Sequence, residues 1–370
     1  AASDVYKRQV FTDVFRGGDR LLYQSWSRTA SFSVTRNRAK LLRRVAQFPA
    51  RALRELHESG PGFLASKSVL PSTLSGGDTK QNALSDISRA VASVTGRVAK
   101  RGMDKLLSVD QWFLGFCFGG NEMEPFDMRP IFCLIPPLDR FWADPFPIQR
   151  DGRYFIFFEE LIFSLGKAHI SVVEVDHAGR CSAPRRVLER DYHLSYPFLI
   201  EADGALFMVP ETAQNRNVEL YRCVRFPDVW QLEKVLLHDV YAVDTTLHQV
   251  DGRWWMFTNI AADDTDVHDE LHLYSAESLW GDWQPHPGNP VKSDVRSARS
   301  AGSLYQYAGR LYRPSQICTP LYGAGVSINE VLELSPQRYQ ERAVGRILPS
   351  SVPGILGVHT LNRAGDLRVI

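Results

Sequence analysis

Trp142-Ala143-Asp144-Pro145-Phe146-Pro147-Ile148-Gln149-Arg150-Asp151-Gly152-Arg153-Tyr154-Phe155-Ile156-Phe157-Phe158-Glu159 is the stretch whose reading decides the fold. Two apolar runs flank an Asp-Gly pair. A two-residue hairpin loop of type I′ needs positive φ at both central residues, and Asp-Gly supplies it at low steric cost. The same arrangement returns at Asp203-Gly204, Asp251-Gly252, Ala308-Gly309 and Ala364-Gly365, at intervals of 52, 48, 57 and 56 residues. A repeat of that length fits one four-stranded blade. The spacing predicts an all-β, five-bladed β-propeller over residues 110–370, preceded by a mainly helical N-terminal segment.

The remaining strands follow from alternation. His169–Val175, Val218–Val224, Glu270–Ser275 and Val326–Leu334 read as third strands. Arg185–Leu188, Trp230–Leu237, Trp283–His286 and Tyr339–Ile347 read as fourth strands. The fifth blade has only its first hairpin, so Gln111–Phe118 and Ile131–Ile135 are expected to complete it and leave no open edge. The lack of helices between strands excludes a Rossmann or barrel reading.

If pairing is regular about each turn, Asp144 opposes Glu159, Tyr196 opposes Glu211, Asp244 opposes Asn259 and Ala301 opposes Gln316. Asp144, Tyr196, Asp244, Ala301 and Gly357 each stand seven residues before a turn, so they share one structural position. With the first strand of each hairpin innermost, these residues ring one end of the central channel. The antiparallel second strands return to that end. His193, His359, Arg299 and Arg313 are expected nearby. Carboxylates, amides and basic groups among Trp142, Tyr196 and Trp255 suit a polyhydroxylated ligand, whose hydroxyls take hydrogen bonds and whose C–H faces stack on aromatic rings.

Upstream the pattern changes. Residues 1–9 resemble translated adapter sequence and are set aside from the fold, and the absence of a starting Met together with an end inside an apparent strand suggests a piece of a longer protein. Residues 10–64 are expected to be helical. Val34–Glu58 reads as an amphipathic helix with Leu41, Leu42, Val45, Phe48, Leu53 and Leu56 on one face, seven basic residues on the other, and a kink or break at Pro49. Such a basic helix suits an anionic membrane or a partner, or more simply a solvated face on a docking helix. Residues 65–109 read as a Ser/Gly/Thr-rich linker followed by an amphipathic stretch at 84–107.

Composition bounds the function classes. The 370 residues are 44% hydrophobic and 23% charged with a formal net charge of +1, which gives no overall nucleic-acid footprint. The five cysteines are odd in number and have no C-x-x-C spacing, which argues against a disulfide scaffold or zinc site and for a reducing, cytoplasmic setting. No run of about 18 apolar residues predicts a transmembrane helix. The histidines at 57, 169, 177, 238, 268, 272 and 286 show no metal spacing, so neither metal nor cofactor is expected. Ser195 lacks a nucleophile-elbow context.

Phe141-Trp142-Ala143-Asp144-Pro145-Phe146, His193-Leu194-Ser195-Tyr196-Pro197-Phe198, Met208-Val209-Pro210-Glu211, Asp244-Thr245-Thr246-Leu247, Arg299-Ser300-Ala301-Gly302, Arg313-Pro314-Ser315-Gln316 and Gly357-Val358-His359-Thr360-Leu361-Asn362 together resemble the N-terminal domain of plant glucosamine inositolphosphorylceramide transferases and their bacterial relatives. That domain is similar to the furanosidase propellers (arabinanases, xylosidases, invertases). In the plant proteins sugar transfer is attributed to a separate C-terminal domain, to which nothing here is similar. Arg20-Leu21-Leu22-Tyr23-Gln24-Ser25-Trp26-Ser27, with Arg36-Asn37-Arg38, resembles the tail of a formyltransferase-like domain, which implies a covalently linked upstream catalytic domain.

The furanosidase resemblance implies a base or nucleophile on blade one, a modulating Asp on blade two and an acid Glu on blade three. Asp144 matches the first; Tyr196 stands at the second position and Asp244 at the third, while Glu211 offers a carboxylate from a second strand. The expected catalytic set is Asp144 as base or nucleophile, Glu211 as acid and Asp244 for positioning or tuning. Trp142, Glu159, His193, Tyr196, Asn259, Arg299, Arg313, Gln316 and His359 are expected to bind substrate. The implied function is a carbohydrate-handling propeller, glycosidase-like or acting with a glycosyltransferase or formyltransferase on a glycan or glycolipid. The alternative is a non-catalytic glycan-binding or protein-interaction module.

Overall fold

A computed structural model describes residues 5–12, 20–28, 34–60, 62–68, 111–119, 132–261, 266–351 and 355–370. The amphipathic stretch expected at 84–107 and most of the linker lie outside them. The chain divides into two compact units, Ala1–Asp110 and Gln111–Ile370.

In the first unit, Val5–Thr12 (β1) pairs antiparallel with Arg20–Arg28 (β2), and Val34–Ser59 (α1) and Gly62–Ser66 (α2) follow. Residues 5–9, set aside from the fold, are in a strand, and the region expected to be helical opens with a hairpin. Pro49 does not split α1, which runs through it. The buried stripe of α1 holds Arg44, Phe48, Arg51 and Ala52, at spacings of three and four that share a helical face, while Leu42 and Leu53 are exposed. Arg51 donates to Gln47 Oε1 at 2.5 Å and lies over the Tyr23 ring.

The second unit is a five-bladed β-propeller. Leu114–Phe118 (β3) and Phe132–Leu134 (β4) come first in sequence but belong to the last blade. Blade 1 is Arg140–Arg150 (β5), Arg153–Ile162 (β6), Ala168–Val175 (β7) and Arg185–Leu188 (β8). Blade 2 is Ser195–Ala202 (β9), Ala205–Glu211 (β10), Asn217–Arg225 (β11) and Val229–His238 (β12). Blade 3 is Ala242–Val250 (β13), Arg253–Ile260 (β14), Glu270–Ala276 (β15) and Gln284–Pro285 (β16), with Lys292–Ser293 (β17) also paired to β15. Blade 4 is Tyr305–Tyr307 (β18), Arg310–Ile317 (β19), Gly325–Leu334 (β20) and Tyr339–Ile347 (β21). Blade 5 joins Asn362–Ala364 (β22) and Leu367–Val369 (β23) to β3 and β4. The two segments expected to close the ring therefore do so, through Leu367↔Phe118 and Val369↔Phe116.

Five apolar clusters fill the five seams between blades. A strand sends successive side chains to opposite faces, so Phe155 and Phe157 pack toward blade 2 and Tyr154, Ile156 and Phe158 toward blade 5. Burial of both faces explains why β6 reads as a continuous apolar run. The first strands β5, β9 and β13 contact one another in turn and β22 contacts β5, which makes them the inner ring.

Asp151, Asp203, Asp251 and Ala308 have φ of 52°, 48°, 50° and 48°, each followed by a positive-φ glycine. The fifth turn departs from expectation: Ala364 pairs with Leu367, so the turn is Gly365-Asp366. Glycine takes the first turn position with φ +57°, which moves the equivalent inner position from Gly357 to Val358.

Candidate functional site at the propeller mouth

The register near the mouth also departs from regular pairing. Ala143, not Asp144, faces Glu159; Ser195 faces Glu211; Val243 faces Asn259. In each of these three blades two inner-strand residues oppose one on the second strand, a β-bulge at the same place. Asp144, Tyr196 and Asp244 head the bulges with φ of 50°, 44° and 49°. A bulge bends its strand and re-aims a side chain, here at a left-handed backbone that costs about 1 kcal/mol or more for residues other than glycine. In blade 4 Ser300 bridges Ser315, so Ala301 does not face Gln316.

Asp244 is locked. Arg299 donates from Nε to Oδ2 at 2.5 Å and from Nη2 to Oδ1 at 3.2 Å, and Gln316 Nε2 donates to Oδ2 at 2.6 Å. Arg299 also contacts His268 Nδ1 at 2.9 Å and stands over the Tyr322 ring. Its Nη2 lies 3.9 Å from Glu211 Oε2, an oxygen with no hydrogen-bond partner among the described residues. Burial, and then the Asp244 carboxylate beside it, hold the Glu211 carboxyl well above the usual carboxylate range, against the pull of Arg299. Asp144 adds to that push.

Asp144 is buried with His359, whose Nε2 lies 2.9 Å from Asp144 Oδ1. Trp112 meets the His359 ring edge-on at 4.4 Å, and Tyr322 lies tilted against it at 5.0 Å. Glu159 lies 3.1 Å from His193 Nε2, while His193 Nδ1 accepts the Ala168 N–H at 3.2 Å. With Nδ1 accepting, the imidazole proton sits on Nε2 and faces Glu159. Burial raises the Glu159 carboxyl, and the Asp144 charge reinforces it.

Tyr196 serves differently. Its hydroxyl accepts the Gly302 N–H at 2.7 Å and shares a hydrogen bond with Thr246 Oγ1 at 2.8 Å, tying blades 2, 3 and 4 together. Asn259 donates to the Glu270 carbonyl at 2.8 Å and leaves Oδ1 without a partner among the described residues.

Two expected ligands-in-waiting lie elsewhere. Trp142 is core between blades 5 and 1, with Nε1 donating to Glu160 at 3.2 Å. Arg313 is fully buried inside blade 4: it pairs with Glu341 through two 2.8 Å hydrogen bonds and donates to the Ser297 and Ala298 carbonyls. It stands three positions from Gln316, an odd offset that puts it on the other strand face. Trp255, grouped with the mouth, belongs to the blade 3–4 seam.

Three residues at the mouth were missed by sequence reasoning: Trp112, Tyr322 and His268. A Cβ on Gly323 or Gly357 would come within 2.5 Å or 2.8 Å of the Trp112 ring, so two glycines make the indole's seat. The signal for it was the glycine beside an aromatic in Tyr322-Gly323. Among the described residues no group of three or more His, Cys, Asp or Glu is arranged to hold a metal ion.

Fold and site thus define a five-bladed propeller with a carboxylate-rich, aromatic-lined mouth. Residues 137–355 match the family described as "Glucosamine inositolphosphorylceramide transferase 1, N-terminal", and the chain belongs to it. It is 30% identical over 255 residues to glucosamine inositolphosphorylceramide transferase 1 of Oryza sativa subsp. japonica, covering 62% of this chain and 34% of the rice protein. Against the Arabidopsis thaliana protein of the same name it is 32% identical over 221 residues, covering 58% of this chain and 28% of that protein. The chain therefore spans about a third of the length of the curated relatives it matches. Among solved structures, the α-L-arabinofuranosidase of Podospora anserina in complex with cellotriose aligns with a TM-score of 0.46 at 13% identity, covering 61% of this chain and 78% of that one. A family 117 glycoside hydrolase of Zobellia galactanivorans aligns with a TM-score of 0.45 at 9% identity, covering 65% and 77%.

Proposed function

We propose that the mouth takes a glycan and acts on a glycosidic bond, with Glu211 as proton donor, Asp144 as base or nucleophile, and Asp244 as the charge that keeps Glu211 protonated. The observation that carries this is the contrast among three carboxylates from three successive blades. Asp244 is engaged on both oxygens by Arg299 and Gln316, Asp144 keeps company with His359, and Glu211 is pushed toward its acid form with an unsatisfied oxygen. A carboxyl held toward its acid form beside carboxylates from the neighbouring blades is the arrangement that acid–base cleavage or transfer needs. Trp112 and Tyr322, both partly exposed, offer the faces on which a sugar ring stacks. The name of the relatives joins a sugar to a ceramide lipid, which supports a glycan or glycolipid as ligand.

The test is turnover of a panel of chromogenic furanosides and pyranosides and of glycolipid-headgroup oligosaccharides by the purified chain. Asp144→Asn and Glu211→Gln are each expected to lower the rate at least a hundredfold. Rates unchanged in both variants overturn the assignment.

A second reading rests on Tyr196. Where the furanosidase pattern has its second acid, this chain has a phenol consumed in bridging blades 3 and 4. That favours a site that recognises glycan without cleaving it, and it predicts saturable binding with no product.

A further inference from the structure

Glu159 is a buried carboxyl at the mouth that the acid, the base and the tuning residue of the proposed reaction leave unused. It faces Ala143 across β5 and β6, and Asp144 follows Ala143 at the head of the blade 1 bulge. Asp144 is 5% exposed and Glu159 6%. Among the described residues no lysine or arginine forms an ion pair with either; Arg299 is bound to Asp244 instead. Glu160, next in the strand, turns to the other face and takes Arg140, His169 and Ser171.

Imidazoles meet the two carboxyls. His193 is held on every side: its backbone N–H donates to Gln214 Oε1 at 2.9 Å, and its Nδ1 accepts the Ala168 N–H. The Leu194 N–H donates to the Ala168 carbonyl at 3.2 Å, and Tyr192 donates to Glu219 Oε2 at 2.7 Å. Glu159 and Asp144 draw a proton toward His193 against its burial, yet an imidazolium would set an Nδ1–H against the Ala168 N–H. With Nε2 of His359 turned to Asp144, a second proton there would lie on Nδ1, which is buried without a partner among the described residues. Neither imidazole is built to carry the charge that would let two buried carboxylates stand together. Glu211, Tyr196 and Tyr322 also feel the Asp144 charge, and none of them is a cation. Like carboxyls in one buried site ionise one at a time.

We infer that Asp144 and Glu159 share a single proton, and that Glu159, positioned by His193, releases it to solvent as Asp144 takes one from the attacking water. This rests on the reading of Asp144 as base. The water oxygen bonds to the anomeric carbon and its proton passes to Asp144. The glycosidic C–O bond breaks, and the leaving oxygen takes the proton of Glu211, which regains one from solvent. Because Glu159 gives up its own proton, the buried pair keeps one proton and one negative charge throughout. The His193 imidazole, 23% exposed, marks the side on which solvent reaches the pair. Burial, and then the Asp144 charge, raise the Glu159 carboxyl against the pull of the His193 donor, so Glu159 holds the proton while Asp144 is ionised.

The experiment follows the infrared band of protonated carboxyls against pH in the purified chain, with Glu211→Gln as background so that the other raised carboxyl is silent. A band titrating above the ordinary glutamate value is expected, and Glu159→Gln should remove it. Asp144→Asn should lower its midpoint by about one pH unit, tenfold in proton affinity. Asp144→Ser, smaller and also neutral, repeats that arm if the amide does not fold. His193→Phe should raise the midpoint, and His193→Gln, whose amide N–H can replace Nε2–H, should return it, which a merely structural role would not do. A midpoint that the Asp144 variants leave in place overturns the shared proton, and one indifferent to His193→Phe overturns the positioning. On a glycan that wild type turns over, Glu159→Gln alone should lower kcat about a hundredfold with KM little changed. An unchanged kcat overturns the release step and leaves the glycan reading standing. A moved midpoint with no turnover of any glycan ends the glycan reading and the release step with it, while the shared proton stands.

Discussion

Arg299 grips both oxygens of Asp244 and reaches to 3.9 Å from Glu211, so one guanidinium stands between two carboxyls in different settings. Asp244 comes from the bulge of blade 3, Glu211 from the end of β10, and Arg299 from the entry to blade 4. Three blades must close before this triad exists.

Removing Arg299 takes the opposite charge away from buried Asp244 and leaves it the Gln316 donor. Breaking a buried ion pair on one side costs about 3–5 kcal/mol, because the remaining charge is uncompensated. Arg299→Ala is expected to destabilise the propeller by that amount in urea denaturation. Adding Asp244→Asn should restore much of it, and the double-mutant cycle measures the coupling. Purely additive losses would show that the pair is not coupled.

Glu211 sets a pH dependence. Its carboxyl binds a proton more tightly folded than unfolded, where the ordinary value is 4.5. Between that value and its raised one the native state holds the extra proton, so stability falls as pH rises through the window. Glu211→Gln removes the dependence. The variant is expected to melt higher than wild type at pH 8, with the difference shrinking toward pH 4. Parallel melting curves across that range would contradict it.

Arg313 and Gln316 share one strand and part company in role. Arg313, bound to Glu341 alongside Lys292 and Tyr339, holds blade 4 together. Arg313→Met should cost stability, and Arg313→Met with Glu341→Leu should recover it, since a buried pair is replaceable by well-packed apolar groups. Glycan affinity of the folded double variant should match wild type, whereas Gln316→Leu should weaken it. Isothermal titration separates the two.

Sequence carried the fold because turn chemistry repeats. Asp-Gly and Ala-Gly fix four hairpins, and alternation places the third and fourth strands and the closing segments. The site was legible in outline, since Asp144, Tyr196 and Asp244 share the seventh position before their turns. The register beyond was not. A bulge inserts one residue without changing composition, so Asp144 moved off Glu159 and Tyr196 off Glu211. Trp142 lies beside the blade 1 bulge and stays in the seam between blades, while Arg313 stands an odd offset from Gln316 in a strand without a bulge and so takes the other face. Trp112 and Tyr322 reach the mouth from the closing strand segment and from a loop, positions to which no repeat points.

Gly323 offers the sharpest test of the aromatic wall. Its φ is +76°, a region side chains rarely adopt, and a Cβ there would stand 2.5 Å from the Trp112 ring. Gly323→Ala must therefore strain the loop, displace the indole, or both. Trp112 packs on His359 and Tyr322, so its displacement loosens the company of Asp144 without touching a carboxylate. The expected outcome is a shifted tryptophan emission and a glycan affinity lowered about tenfold, the order of one lost stacking contact of 1–1.5 kcal/mol. Gly152→Ala, at a positive-φ turn on the far end with open space around it, supplies the control for backbone strain alone. If both variants lose affinity equally, the Trp112 seat is not what shapes the mouth.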